Sequence, residues 1–274
     1  MKTIKIKPTP FLGRPGPESK LYNGSELVAL DDSRFLFCDN NVGNALFEIT
    51  LTSEGGSVSP VRRPLDGIAP GSVDDLEGLT MAEIDGHQFI IAIPSLSLKQ
   101  RKKQRTRKSR RGKEAPARNG LLRITFDAQQ RFEAEVIHDF RSWLVRETPL
   151  LDRSPKYLPD DGGLNVEAVS WDAQARSLLL GLRTPVIDGQ PLILRIRVPD
   201  EGRPWELTNF EMLEPIRLAI EDEGDGQGIR SISFDAFRQA FLVMVGNSTS
   251  ASKAPFLGRE PERSGPTPWW YPLL

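Results

Sequence analysis

The sequence predicts an all-β chain folded as a single β-propeller of four-stranded antiparallel blades. Three observations carry that expectation. A strand-like pattern recurs four times, helical periodicity is nearly absent, and Gly and Pro, at 23 and 22 of 274 residues, break the chain too often for long helices.

Each repeat opens on an alternating segment: Ser25-Glu-Leu-Val-Ala-Leu, Leu76-Glu-Gly-Leu-Thr-Met, Val166-Glu-Ala-Val-Ser-Trp and Ile229-Arg-Ser-Ile-Ser-Phe. Apolar residues alternate with small or polar ones, as a strand with one buried face requires. A compact apolar run follows in each case: Phe35-Leu-Phe-Cys, Phe89-Ile-Ile-Ala-Ile, Leu178-Leu-Leu-Gly-Leu and Phe241-Leu-Val-Met-Val. These runs end in polar corners at Asp39-Asn-Asn, Pro94-Ser, Arg183-Thr and Gly246-Asn. The first three modules then add two more strand-like pieces, for example Leu121-Leu-Arg-Ile-Thr-Phe with Phe132-Glu-Ala-Glu-Val-Ile. Four short strands with turns between them make one blade.

Module starts at Glu26, Glu77, Glu167 and Arg230 are spaced by 51, 90 and 63 residues, and the longest gap has room for a fifth blade. Only Phe140 to Leu151 has the look of a short helix. The fourth module lacks outer strands, so Thr3-Ile-Lys-Ile-Lys is expected to close its sheet as a donated strand and hide the edge. A β-sandwich is the rival, but sandwiches do not repeat a four-strand unit this regularly. The expected organisation is one domain over residues 1–274. A disordered basic insertion covers 99–118, and a poorly ordered or closing segment covers 248–274.

The net charge of −1 hides an asymmetry. Between Lys99 and Arg118 lie eleven basic residues and one acid, Glu114, so the rest of the chain carries 25 basic and 36 acidic groups. Such a run repels itself and has nothing to bury. It reads either as a solvated loop leaning on an acidic body or as a contact for nucleic acid or another polyanion. No aromatic residue is interleaved to stack on bases, which favours the solvated loop. The single cysteine, Cys38, excludes an internal disulfide and ends an apolar strand as a buried, inert thiol. Apolar runs reach about five residues, far below the ~20 that cross a bilayer, so no membrane span is expected. Met1-Lys-Thr-Ile-Lys-Ile-Lys has no apolar signal region, which makes a cytoplasmic location the expectation.

Several segments also resemble a known family. Asp75-Leu-Glu-Gly-Leu, Asn165-Val-Glu-Ala-Val, Gly181-Leu-Arg-Thr-Pro and Gly228-Ile-Arg-Ser-Ile look like the signature segments of a bacterial domain-of-unknown-function family, number 3616. Its members are similar, more distantly, to propeller proteins described as phytase-like esterases. The basic stretch from Leu98 also matches a shorter one carried by the family. The resemblance spans roughly residues 20 to 247 and implies the propeller while leaving activity open. Two departures stand out: Ile93-Pro-Ser-Leu-Ser replaces a Gly-Ser-His-Ser corner, and Ala168 replaces a glycine.

In a propeller the innermost strands line the channel, and aligning the modules puts Glu26, Glu77, Glu167 and Arg230 at equivalent rim positions. Three carboxyls gathered there require neutralisation by Arg230 and Arg183, by a hard cation such as Ca²⁺ or Mg²⁺, or by a retained proton. Four readings follow. A metal-dependent hydrolase of phosphate or other esters would use Asp75, Glu77 and Glu167 as ligands, with Glu77 or Glu167 as general base and the arginines on an anionic substrate. A binding protein would hold a small anionic ligand with Glu26, Asp39, Asn165, Arg183 and Arg230, and a protein-interaction scaffold would use the rim and the basic loop. A purely structural ring would seal blade to blade, and repetition at every blade suits that role. His87 and His138 stand apart from each other and from Cys38, so a Cys/His zinc site is not expected. No serine-nucleophile elbow or phosphate-binding P-loop motif occurs.

Overall fold

The apolar runs form strands buried on both faces, and this sets the architecture. The computed structural model describes residues 24–53, 60–99, 112–129, 131–151, 154–200, 202–220, 226–248 and 267–271. The first unit is the meander β1 (Gly24–Ala29), β2 (Arg34–Asp39), β3 (Val42–Thr50) and β4 (Val61–Asp66). The second is β5 (Leu76–Ile84), β6 (His87–Pro94), β7 (Leu121–Phe126) and β8 (Phe132–Ile137). Their outer strands meet in parallel at Leu65↔Phe132 and Asp66↔Glu133, so eight strands run as one sheet in the order β1-β2-β3-β4-β8-β7-β6-β5. Its two ends, β1 and β5, pack on each other, and the sheet nearly closes.

The third unit is a separate four-stranded antiparallel sheet of β9 (Asn165–Asp172), β10 (Ser177–Thr184), β11 (Leu192–Arg197) and β12 (Glu211–Arg217). The fourth has three strands, β13 (Gln227–Asp235), β14 (Ala240–Asn247) and β15 (Thr267–Tyr271). The C-terminal strand thus supplies the third position of that sheet, antiparallel to β14. The expected closing strand at Thr3 to Lys7 lies outside the described residues. The 90-residue gap holds β6 to β8, the helix α1 (Phe140–Glu147) and short 3₁₀ turns, and among the described residues no fifth unit occurs there.

Alternation within the second strand of each unit explains the unbroken apolar runs. Ile90 and Ala92 of β6 enter a core shared with β1–β4, while Ile91 and Ile93 enter one shared with β9–β11 and α1. Leu178, Leu180 and Leu182 of β10 face that second core, and Leu179 turns to a third core with Ile229, Ile232, Phe241 and Val243. A strand between two cores has no wet face, so its sequence reads apolar throughout. Phe37, Phe47 and Ile49 form a small fourth cluster, with Phe37 and Phe47 stacked at 5.4 Å. Phe140, Trp143 and Leu144 seal α1 into the second core.

The basic insertion is narrower than the charge run suggests. Lys99 bridges Lys113 by paired backbone hydrogen bonds, and Pro116–Arg118 forms a 3₁₀ turn. Lys99 reaches Asp74 at 2.5 Å, and Arg118 reaches Asp74 and Asp75 at 3.1 and 2.8 Å. Both ends of the 99–118 stretch are therefore ordered against the body, which corrects the boundary; residues 100–111 lie outside the described residues.

Two glycines in the family-like segments mark where the third and fourth units touch. A Cβ on Gly228 would stand 2.0 Å from the Arg183 carbonyl oxygen, and one on Gly181 2.5 Å from Ile229 Cγ2. Backbone cannot yield as a side chain can, so Gly228→Ala is expected to cost about 2 kcal/mol or more. Gly202→Ala, which meets nothing within 4 Å, is the matched control. Denaturant titration of both variants measures the difference.

Candidate functional site

The first strand of every unit carries a β-bulge, and the bulged residue is in each case the one singled out from the sequence. The β1–β2 ladder steps from Ser25↔Cys38 to Leu27↔Phe37 and skips Glu26. The β5–β6 ladder skips Glu77 between Leu76 and Gly78, and the β13–β14 ladder skips Arg230 between Ile229 and Ser231. In β9, Val166 faces Leu182 and Ala168 faces Gly181, leaving Glu167 out. A bulge adds a residue to one strand and re-aims its side chain. Glu26 takes a φ of 39°, the left-handed region, which for a glutamate is held by its surroundings.

The four side chains meet through one another's strands. Glu167 accepts Arg183 Nη1 on Oε1 and Arg230 Nη1 on Oε2, both at 2.6 Å. Asn165 Nδ2 donates to Glu167 Oε1 at 3.2 Å. The same guanidiniums donate to the end of β14 and the residue after it: Arg183 Nε to Ser248 O at 3.0 Å, and Arg230 Nη2 to Asn247 O. Glu77 accepts Asn40 Nδ2 on Oε1 at 2.8 Å and lies 2.9 Å from Ser25 Oγ. Glu26 accepts Ser231 Oγ at 3.1 and 3.3 Å. These polar contacts join the second unit to the first, the first to the fourth and the fourth to the third.

The other expected site residues serve local order. Asp39 is buried, and its Oδ1 accepts the Asn41 N–H at 2.8 Å to turn β2 into β3. Asp75, at φ 65°, pairs with Arg118 and accepts Ser95 Oγ at 2.5 Å, while its N–H donates to Asn40 O at 3.0 Å. The expected metal set of Asp75, Glu77 and Glu167 is therefore divided among separate partners. Among the described residues, no group of three or more His, Cys, Asp or Glu side chains is placed to hold a metal ion.

Burial pushes the Glu77 carboxyl up to about 8, helped by the negative charges of Asp75 and Glu167 and opposed by the Ser25 and Asn40 hydrogen bonds. Burial likewise pushes Glu26 up to about 8 against the bonds from Ser231 and the Leu27 N–H. A protonated Glu77 also resolves a donor shortage. Ser25 Oγ stands 2.7 Å from Asn40 Oδ1 and 2.9 Å from Glu77 Oε2, yet carries one hydrogen. With Glu77 donating to Ser25, Ser25 to Asn40 and Asn40 back to Glu77, the ring is complete. Cys38, whose Sγ donates to Ser25 O at 3.0 Å, has its thiol pushed well up by burial and by the nearby Glu77 and Glu26, consistent with an inert thiol.

Beyond the bulges the same four strands line an open cavity of about 1190 Å³. Leu27–Ala29 of β1, Leu79–Met81 of β5, Ser170–Asp172 of β9 and Ile232–Phe234 of β13 line it, and Glu26 belongs to both features. Arg195 of β11 is half-buried in its wall and has no carboxylate partner among the described residues. Sequence reading passed over Arg195, although its position two residues after Ile193 puts it on the face turned to the fourth unit.

The raised carboxyls fix a pH dependence. The folded state holds protons near pH 8 that the unfolded chain releases near 4.5. Folding is therefore favoured fully below pH 4.5, and this contribution is lost as pH rises towards 8. Asp74 acts oppositely: burial raises it, but Lys99 and Arg118 bonds outweigh that and lower it, so its contribution is lost in acid. Glu77→Gln is expected to remove roughly half of the decline between pH 4.5 and 8, read from melting curves across that range. Arg230→Gln, which strips one clamp from Glu167, is expected to cost about 1–3 kcal/mol by denaturant unfolding.

No curated protein matches the chain. A crystal structure of a protein from Lactobacillus plantarum is similar at 11% identity and a TM-score of 0.35, covering 80% of this chain and 50% of its own. The extracellular domain of a putative hybrid two-component system from B. thetaiotaomicron is similar at 10% identity and a TM-score of 0.31, covering 84% of this chain and 26% of its own. The chain spans half the length of the first of these or less. Within the chain, residues 144–254, from inside α1 to just past β14, match the family model described as Protein of unknown function (DUF3616), an interval that includes Glu167, Arg183, Arg195 and Arg230.

Proposed function

We propose that the four units form a β-propeller and that the molecule is a binding protein taking a small anionic ligand into its central cavity. One observation carries the reading: all four units give their innermost strand to a single cavity, and its wall bears Arg195 without a carboxylate partner among the described residues. Arg183 and Arg230, expected to hold the anion, already hold Glu167 and backbone carbonyls. They act in this reading as the seal between the third and fourth units. Asp172 shares the cavity wall, but its Oδ1 accepts the Ala175 N–H at 3.0 Å in its own turn. Glu26 keeps its proton at neutral pH and so does not oppose an anion.

Hydrolysis finds less support. A general base needs a free lone pair facing substrate, whereas protonated Glu77 is closed in a ring with Ser25 and Asn40, and Glu167 accepts from Asn165, Arg183 and Arg230. In this fold they are positioning residues. Guanidinium contact with an anion contributes about 1.5–3 kcal/mol where water is partly excluded.

The probe is 1-anilinonaphthalene-8-sulfonate, an apolar monoanion. It is expected to bind the folded protein saturably at one site, tenfold or more weakly in Arg195→Gln. Ser233→Trp, at an exposed position on the cavity wall, is expected to block it. Unchanged binding in both variants, with cooperative melting intact, overturns the reading.

A further inference from the structure

Glu26 is placed where a ligand must meet it. Its bulge turns it into the floor of the cavity, and among the described residues no ammonium or guanidinium reaches its carboxyl. Among the described residues its carboxyl accepts from Ser231 Oγ and from the Leu27 N–H. Around it the cavity wall carries apolar side chains, Leu27 and Val28 of β1, Leu79 of β5, Trp171 of β9 and Ile232 and Phe234 of β13, interleaved with polar ones such as Thr80, Ser170 and Ser233. Among the described residues Arg195 is the lining cation without a carboxylate partner, so a second negative charge on the ligand meets no further cation there. Inorganic phosphate offers no body to those walls and carries too much charge.

Resting on the cavity reading above, we infer that the site takes an apolar organic monoanion, such as an aryl or alkyl carboxylate or sulfonate, together with one proton held on Glu26. The ionised protein binds the anion and a proton in one coupled step, while the protonated protein binds the anion alone. Two negative charges sharing one partly water-excluded cavity repel, so a proton kept on Glu26 favours entry of the anion. Burial has already set the Glu26 carboxyl near 8, within reach of ordinary pH change.

The charged and titratable groups facing Glu26 leave it as the coupling group. Cys38 on β2 has its thiol pushed well up and stays protonated. Asp39 on β2 is turned into its own corner. Glu77 on β5 titrates in the same range but is enclosed by Ser25 and Asn40 and does not line the cavity. On β9, Glu167 is held by Arg183 of β10 and Arg230 of β13, and Asp172 by its turn.

The test follows 1-anilinonaphthalene-8-sulfonate affinity from pH 6 to 9.5. Affinity is expected to be level to about pH 7 and to fall roughly thirtyfold by pH 9.5, as one proton near 8 dictates. In Glu26→Gln the curve becomes flat, and in Glu77→Gln it keeps its fall. The uncharged dye N-phenyl-1-naphthylamine binds the native protein without the fall, and millimolar inorganic phosphate does not compete. Should Glu26→Gln fail to fold, calorimetry of the native protein in two buffers at pH 9 decides, with uptake of about one proton per dye expected. Level affinity in the native protein, no proton uptake, or a fall that persists in Glu26→Gln overturns the coupling while the cavity reading stands. Dye binding that ignores Ser233→Trp and Arg195→Gln overturns the cavity reading itself.

Discussion

Neutralising three inward carboxyls is the constraint on which the centre of this molecule depends. Bulges aim Glu26, Glu77 and Glu167 toward shared space, and the charge of Glu167 acts on Glu77 directly. At protein-like polarity two bare carboxylates 4 Å apart repel by about 4 kcal/mol, a sizeable part of a domain's whole stability. The fold answers differently in each unit. Glu167 is clamped by two guanidiniums, Glu77 sits in a closed ring with Ser25 and Asn40, and Glu26 holds its proton beside Ser231. Each answer draws on a neighbouring strand, so solving the charge problem also fastens the units together.

The apolar cores make this arrangement possible. Strands such as β6 and β10, apolar on both faces, exclude water from either side of the innermost strands. The resulting dry surroundings push the carboxyls up, since burial is the largest cause for both Glu26 and Glu77. Close approach has its own requirement: Gly228 lets β13 settle against the Arg183 carbonyl, which brings Arg183 and Arg230 to one carboxylate. Replacing that glycine would therefore disturb charge placement as well as packing.

Much of this was legible in the chain. Alternation and turn residues mark fourteen of the strands approximately, and aligning the modules picks out the four bulged residues by position alone. The bulges themselves left no trace, because Glu26, Glu77, Glu167 and Arg230 carry no glycine-like signature; a slipped ladder is a property of two strands together. The parallel β4–β8 junction was hidden for the same reason, resting on two residue pairs between distant outer strands. Charge density overstated the basic insertion, since Lys99 and Arg118 find Asp74 and Asp75 only once the chain is folded. Arg195 escaped notice because strand periodicity says which face a side chain takes but not whether a partner waits there.

Where the guanidiniums end up decides what chemistry the centre has left. An arginine pair facing carboxylates looks catalytic in sequence, yet two short ion pairs and two backbone carbonyls commit Arg183 and Arg230 to holding the third and fourth units together. Moving either one to a ligand would leave Glu167, at 11% side-chain exposure, with a single guanidinium, which is destabilising for a carboxylate so little exposed. Arg195 bears no such debt: it can meet an incoming anion without breaking an ion pair among the described residues. The proposed binding therefore falls to the cavity beyond the bulges, and the residues most conspicuous in the sequence are the ones that fasten the strands around it.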